Sequence, residues 1–169
     1  MVDVPLEGPD VSNITIKTDP SGLFSKEKWN ELMPYFRNIT INSTSSWSLD
    51  ELFYSNYNYT DLSHITFKMN CNMYYFSGLK SLFGDCSRLT ALPNFDWSST
   101  SVGAPSNFFW VNSMFHGSNN LRTISDTFFS DIPFAADSYE MKIIGSNMFS
   151  SCYSLRQLPD LSCFDGKNT

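Results

Sequence analysis

The chain is poor in charged residues. Only 17% of its 169 residues are Asp, Glu, Lys or Arg, and the formal net charge is −6. Because an acidic protein is repelled by phosphate backbones and by anionic lipids, the composition argues against electrostatic binding to nucleic acid or to an acidic membrane surface. Neutral polar residues dominate instead, with 26 Ser, 15 Asn and 11 Thr.

Long apolar runs are also missing. No stretch approaches the roughly 20 apolar residues that a membrane-spanning helix requires, so we expect no transmembrane segment. The first residues, MVDVPLEGPDV, contain neither a basic n-region nor an apolar h-region. No signal peptide is therefore predicted in this chain.

Residues typical of catalytic and metal sites are scarce. The chain has two histidines, and its four cysteines form no CxxC pair. It contains no phosphate-binding glycine loop, GxSxG, HExxH or EF-hand loop. We therefore predict a non-enzymatic protein without a cofactor or metal, although two carboxylates brought together by the fold would be invisible in the sequence. The cysteines are expected to be reduced and buried, with two disulfides as the alternative.

The chain instead contains an internal repeat, in which apolar residues recur around a phenylalanine. Leu or Met precedes each phenylalanine, and apolar residues follow it at the sixth and ninth positions. The central residues are Phe53, Phe83, Phe115 and Phe149, which are separated by 30, 32 and 34 residues. Spacings of this length are typical of stacked solenoid units.

Each unit is predicted to combine a short helical turn with a short strand. The apolar residues of 79–83 follow helical spacing. The Leu-x-x-Leu stretches that follow the phenylalanines predict strands over Leu89–Phe95, Leu121–Phe128 and Leu155–Leu161. We therefore expect an α/β repeat, an irregular solenoid in which the four phenylalanine rings stack in one column.

Residues 1–45 do not match the repeat. Alternating residues predict strands at Ile14–Ile16 and Ile39–Ile41, and Ser25–Phe36 is predicted to form a helix with Ser25 as its N-cap. We interpret this β-α-β segment as an N-terminal cap on a solenoid of about four units over residues 46–169. A separate small domain is the alternative.

The repeat resembles a known family. The segments LFGDCSRLTALPNFD, MFHGSNNLRTIS and MFSSCYSLRQLPDLSCFD are similar to the BspA-type repeats of bacterial surface proteins, a divergent leucine-rich-repeat group with the theme MF-x-x-C-x-x-L-x-x-L-P. The resemblance covers about residues 49–165. It implies a leucine-rich-repeat-like fold and a role in surface recognition or adhesion, without catalysis. Such repeats are also expected in proteins of bacteriophages and other microbial surfaces.

Polar residues at equivalent repeat positions form one candidate binding face. If the predicted strands stack, residues seven and eleven positions after each phenylalanine lie in rows on the exposed sheet face, a common partner surface in repeat proteins. This face comprises Asn94, Arg122, Asp126, Arg156 and Asp160. A calcium site between the two aspartates is conceivable, and an ordinary solvated face is the alternative.

Aromatic residues in the longer inserts form a second candidate. Trp97, Phe108, Phe109 and Trp110 form a candidate aromatic patch that, if exposed, would stack on sugar rings or anchor a protein partner. Alternatively the inserts fold back and bury these rings. A second aromatic-rich region contains Tyr54, Tyr57, Tyr59, Tyr74 and Tyr75.

The sequence thus predicts a surface recognition or adhesion module that binds a protein or a glycan. The alternative is a structural or receptor-binding component of a phage virion or another large assembly, in which a partner covers the C-terminal repeat. The expected location is accordingly the cell surface, the extracellular space or a virion. A glycan-acting enzyme is a third hypothesis, supported only by the aromatic residues.

Overall fold

A computed structural model describes residues 12–103, 108–135 and 142–164. Within these ranges the chain has an α/β fold, with short strands in parallel sheets and few helices. Residues 1–11 of the predicted N-terminal cap and residues 165–169 of the predicted solenoid lie outside the described residues.

The predicted β-α-β arrangement at the N-terminus is confirmed. Strand β1 (Asn13–Ile16) pairs in parallel with β2 (Asn38–Ile41), and helix α1 (Lys26–Leu32) lies between them in sequence. Ser25 caps the helix, because its hydroxyl accepts a hydrogen bond from the backbone N–H of Lys28 at 3.3 Å.

Helix α1 ends earlier than predicted. It stops at Leu32, and a 3-10 turn over Met33–Tyr35 follows. Pro34 explains the difference, since it lacks the N–H that a continuing α-helix would use at this position.

Two more strands extend the first sheet. Strands β3 (Thr66–Met69) and β4 (Asn94–Asp96) follow β2, and all neighbours in the order β1-β2-β3-β4 are parallel. Strands β5 (Phe108–Trp110) and β6 (Lys142–Ile144) form a second parallel pair. Alternate residues of β2 and β3 face the core, as the two-residue period of a strand requires.

The strands predicted after the phenylalanines are largely wrong. Of Leu89–Phe95 only its end joins β4, and neither Leu121–Phe128 nor Leu155–Leu161 contains a strand. Helix α2 (Thr127–Ser130) occupies part of the second stretch. The reason is periodicity, because leucines three residues apart do not fall on one face of a strand.

The segments around the phenylalanines, here called anchor segments, comprise residues 49–56, 79–86, 111–118 and 145–152. The helical turn predicted for 79–83 is wrong, because the segment contains left-handed residues that no α-helix accepts. In all four segments the residues two before and two after the phenylalanine have φ between 50° and 71°. They are Glu51, Ser55, Ser81, Asp85, Ser113, Gly117, Asn147 and Ser151.

This alternation sends backbone N–H groups in two directions. In the second segment the N–H of Leu82 donates back to the carbonyl of Leu79 at 3.2 Å, whereas that of Phe83 donates to the carbonyl of Met114 at 2.8 Å in the third segment. Four such bonds cross each of the three junctions between consecutive segments. The donors of the second junction are Leu79, Ser81, Phe83 and Asp85.

The predicted column of phenylalanine rings is confirmed. Consecutive ring centroids are 5.3 Å apart between Phe53 and Phe83, 5.6 Å between Phe83 and Phe115, and 5.6 Å between Phe115 and Phe149. The planes of successive rings differ by at most 11°. The first three rings are at most 1% exposed, while Phe149 is only partly buried.

The fourth unit is the least buried. Leu158, which occupies an apolar repeat position and was expected in the core, is 56% exposed. Its equivalents Leu62 and Ile124 are 1% and 4% exposed. The difference arises because no described segment packs on the outer side of the fourth unit.

A small hydrogen-bond donor stands three residues after the last three phenylalanines. The Cys86 thiol donates to the carbonyl of Phe53 at 2.9 Å, the Ser118 hydroxyl to that of Phe83 at 2.6 Å, and the Cys152 thiol to that of Phe115 at 2.9 Å. Cys and Ser are thus interchangeable here because each is small and donates one proton.

Cys71, Cys86 and Cys152 are free thiols. Cys71 and Cys86 are buried as expected, whereas Cys152 and Cys163 are only partly buried. Burial raises the pKa of the Cys86 thiol to about 11, so the group stays protonated at neutral pH and serves as a donor. Among the described residues, the longest apolar helix is too short to cross a bilayer.

Replacing Phe115 by alanine tests the ring column. Phe115 contacts rings on both sides, so Phe115→Ala should lower the free energy of unfolding by about 3–5 kcal/mol. Phe149→Ala is the matched control, and the partly buried ring should cost only about 1–2 kcal/mol. Urea denaturation measures both, and equal losses would contradict the stacked arrangement.

Substitutions of Cys86 test the thiol bond. Cys86→Ser retains the donor and should lower stability by about 1 kcal/mol or less, whereas Cys86→Val leaves the slot without a donor and should cost about 1–3 kcal/mol. Thermal melts would compare the two variants. If the serine variant were as unstable as the valine variant, packing and not the hydrogen bond would determine which residue is tolerated at position 86.

Candidate functional site

The predicted polar face is only partly assembled. Arg122 and Arg156 lie side by side, because the N–H of Arg156 donates to the carbonyl of Arg122 at 3.1 Å, and both side chains are exposed. Asn94 lies apart in β4, where its amide donates to the carbonyl of Ser63 at 3.2 Å. Since residues 121–126 and 155–161 form no strand, the exposed sheet face that was to carry these residues is absent there.

The two aspartates of that face each bond a different neighbour. Asp126 accepts a hydrogen bond from the Gln157 amide at 3.1 Å. Asp160 accepts one from the N–H of Ser162 at 2.8 Å, and hydrogen bonds from this backbone N–H and the Ser162 hydroxyl lower its pKa. Within the described ranges, no three His, Cys, Asp or Glu side chains are placed to hold a metal ion.

The predicted aromatic patch splits into buried and exposed rings. Trp97 and Phe109 are 7% and 0% exposed, so for these two rings the structure shows the alternative in which the inserts fold back and bury them. They belong to the core, where the ring centroid of Phe76 lies 5.6 Å from that of Trp97 and 5.3 Å from that of Phe109. Phe108 and Trp110 remain on the surface at 43% and 38% exposure, with their ring centroids 5.7 Å apart.

A groove that sequence reasoning missed lies along the ends of the four anchor segments. It has room for about 310 Å³ and is formed by the ends of the anchor segments and the residues that follow them. We call it the turn groove. Its lining residues are Tyr57, Asp85, Ser87, His116, Gly117, Asn119, Ser151 and Tyr153.

The left-handed backbone positions shape the floor of this groove. Asp85, Gly117 and Ser151 are equivalent left-handed residues of three consecutive segments, joined by hydrogen bonds from Asp85 N–H to the His116 carbonyl and from Gly117 N–H to the Ser150 carbonyl. A Cβ atom on Gly117 would overlap the Asp85 carboxylate. Glycine therefore lets Asp85 lie directly against the next segment.

Polar groups line the middle of the groove. The His116 Nε2 atom lies 3.9 Å from the Asp85 carboxylate, and both side chains are more than a third exposed. The other ring nitrogen of His116 is buried and has no hydrogen-bond partner within the described part of the chain. Asn119, in the amide orientation that satisfies its hydrogen bonds, donates to the carbonyls of Gly117 and Ser151.

A tyrosine marks each end of the groove. Tyr57 is 54% exposed and Tyr153 is 83% exposed, and the two occupy the same repeat position in the first and fourth units. The Lys26 ammonium lies 5.7 Å from the centre of the Tyr57 ring. The groove thus offers two aromatic faces, separated by neutral and acidic hydrogen-bonding groups.

The comparisons with known proteins supply no function for this groove. Comparison with family models, with curated proteins and with solved structures finds no match to the chain. The site is therefore interpreted from its own geometry. The sequence did contain one signal for it, because Tyr57 and Tyr153 both follow their phenylalanine by four residues.

Replacing Gly117 tests the floor of the groove. Gly117→Ala forces a Cβ against Asp85 and should lower the free energy of unfolding by about 1–2 kcal/mol. Gly103→Ala is the control, since its Cβ would make an ordinary 3.4 Å contact with Met73. Chemical denaturation compares the variants, and equal stability would show that Asp85 and Gly117 are not packed together.

Proposed function

We propose that this chain is a non-enzymatic recognition or adhesion module that binds a glycan in the turn groove. Its scaffold would be an irregular leucine-rich-repeat-like solenoid of about four units, related to the BspA-type surface repeats. The observation that carries the proposal is the groove itself, which spans four units with an exposed tyrosine at each end.

Two features support the solenoid interpretation. Backbone hydrogen bonds join equivalent positions of consecutive anchor segments, and the rings of Phe53, Phe83, Phe115 and Phe149 form one column. Each unit then contacts its sequence neighbours, which is the defining property of a repeat array. The BspA resemblance rests on the residues of the same segments, including the Cys86 and Cys152 thiols that bond the preceding segment.

The chemistry of the groove favours a glycan. Sugar rings combine apolar C–H faces with hydroxyl groups, so they suit a site that has aromatic ends and a polar middle. Tyr57 and Tyr153 offer the aromatic faces, while Asp85, His116 and Ser87 offer acceptors and donors. Specific sites generally join a few placed polar groups to a larger apolar surface. A protein ligand is the alternative outcome of the binding test.

The proposed location follows from the proposed role. A glycan-binding or adhesive module acts at the cell surface, in the extracellular space or on a virion. The net charge of −6 disfavours electrostatic binding to nucleic acid and is consistent with this role.

A structural or receptor-binding part of a phage virion is the second candidate. One observation favours it: Phe149 is only partly buried and Leu158 is 56% exposed, and no described segment packs over them. A neighbouring subunit of a large assembly would cover these side chains. Binding of a receptor glycan in the turn groove is compatible with either role.

Tyrosine variants test the glycan proposal. Screening on a glycan array and isothermal titration with the strongest binder should show that Tyr57→Ala and Tyr153→Ala each weaken binding at least about tenfold, or ~1.4 kcal/mol, because each removes a stacking face. Tyr35→Ala is the matched control, since Tyr35 is 51% exposed but lies outside the groove. It should bind like the unmodified protein.

The results that contradict the proposal are distinct. Unchanged affinity in both groove variants would place the ligand elsewhere. Binding of a protein but of no glycan would show that the ligand is a protein. Release of products from a bound glycan would show that this chain is an enzyme.

A further inference from the structure

The fourth anchor segment exposes an unused row of backbone donors. In each of the first three segments, four backbone N–H groups donate hydrogen bonds to carbonyls of the next segment. They belong to the phenylalanine, to the residues four and two positions before it, and to the residue two positions after it. Their equivalents in the fourth segment have no hydrogen-bond acceptor within the described part of the chain. These four residues are Gly145, Asn147, Phe149 and Ser151.

Strand β6 continues this row. Lys142–Ile144 pairs with β5 on one side, and no other described strand lies beside it. Residues 142–151 therefore form one continuous polypeptide edge. The partly buried Phe149 ring ends the aromatic column at this edge. It stacks only on Phe115 within the column, whereas Phe115 stacks on both Phe83 and Phe149.

The direction of the hydrogen bonds defines what fits this edge. The carbonyl groups of Ile144, Ser146 and Met148 already accept bonds from the third segment, so the outer side presents N–H groups. A matching surface must present backbone carbonyls at alternate residues. Packing against the same edge of a second copy would place donors against donors.

Head-to-tail stacking of two copies is also obstructed. The matching carbonyl row of a second copy belongs to its first anchor segment, but residues of the N-terminal cap lie against that segment. The Asp19 carboxylate accepts a hydrogen bond from the N–H of Ser48 at 3.2 Å. In addition, Lys26 and Asn30 of the cap helix bond Ser55 and Asn56 respectively.

We propose that residues 142–151 form a docking edge for a segment of another polypeptide. This segment would pair with β6 and present alternate backbone carbonyls to the fourth anchor segment, with an aromatic side chain stacked on Phe149. Strand addition to a free edge is an established mode of peptide recognition, in which main-chain hydrogen bonds supply affinity and the side chain supplies specificity. The inference does not depend on the turn groove.

A peptide titration tests this proposal. Residues 76–92 of the chain itself provide the probe, because Gly78, Lys80, Leu82 and Gly84 carry the carbonyls that accept from the first segment. In ¹⁵N NMR spectra of the whole protein, the peptide should shift the amide signals of the four donor residues and slow their hydrogen exchange. The amides of Ser113 and Phe115, which are already bonded, should not change.

Two controls separate specific docking from other binding. The same peptide with Phe83→Ala should bind at least tenfold more weakly, and so should the protein variant Phe149→Ala, whose folding is checked by circular dichroism. If that variant unfolds, the comparison of the two peptides decides alone. The groove variant Tyr57→Ala, which lies at the end of the groove far from Ser151, should bind the peptide normally.

Several results would overturn the proposal. One is the absence of a saturable shift of the amide signals up to about 1 mM peptide, which corresponds to a binding free energy weaker than roughly −4 kcal/mol. Another is binding of the Phe83→Ala peptide as tight as that of the unmodified peptide. A shift confined to the turn groove would place the peptide at the other site. Protection of the four amides by protein concentration alone would identify a second copy as the occupant.

Discussion

The fold depends on an alternation of backbone conformation around each central phenylalanine. A left-handed residue stands two positions before and two positions after the ring, and every second N–H thereby points along the stack rather than back into its own turn. Seven of these eight residues are not glycine, and each such residue costs roughly 1–2 kcal/mol in the left-handed region. In the first three segments the bonds to the next segment offset this cost, so each of these segments specifies the position of its neighbour.

This mutual dependence explains why side chains of different chemistry occupy equivalent positions. Cys86, Ser118 and Cys152 each donate to the carbonyl of a phenylalanine in the preceding segment, and nothing larger is needed there. On the opposite, solvent-facing side the same turns leave room for variation. Tyr57, Asp85 and His116 therefore reach the turn groove from one recurrent backbone geometry, which allows the groove to vary while the scaffold is kept.

The sequence predicted the spacing of the structure better than its local geometry. The phenylalanine column and the N-terminal β-α-β arrangement followed from apolar periodicity and from the Ser25 cap. The left-handed turns did not, because Ser81 and Glu51 are residue types that rarely take positive φ and their segments match helical spacing. For Trp97 and Phe109 the sequence left both an exposed and a buried position open, because it does not show how a long insert folds back. The groove left a single signal in the sequence, the equivalent positions of Tyr57 and Tyr153, because it joins unlike residues from four segments.

The hydrogen bonds between consecutive anchor segments can be measured directly by NMR, through scalar couplings across each bond. We expect couplings from the amide nitrogens of Phe53, Phe83 and Phe115 to the carbonyl carbons of Leu82, Met114 and Met148, respectively. Couplings from these nitrogens to carbonyls four residues earlier, as in an α-helix, would contradict the stacked arrangement and the groove that depends on it.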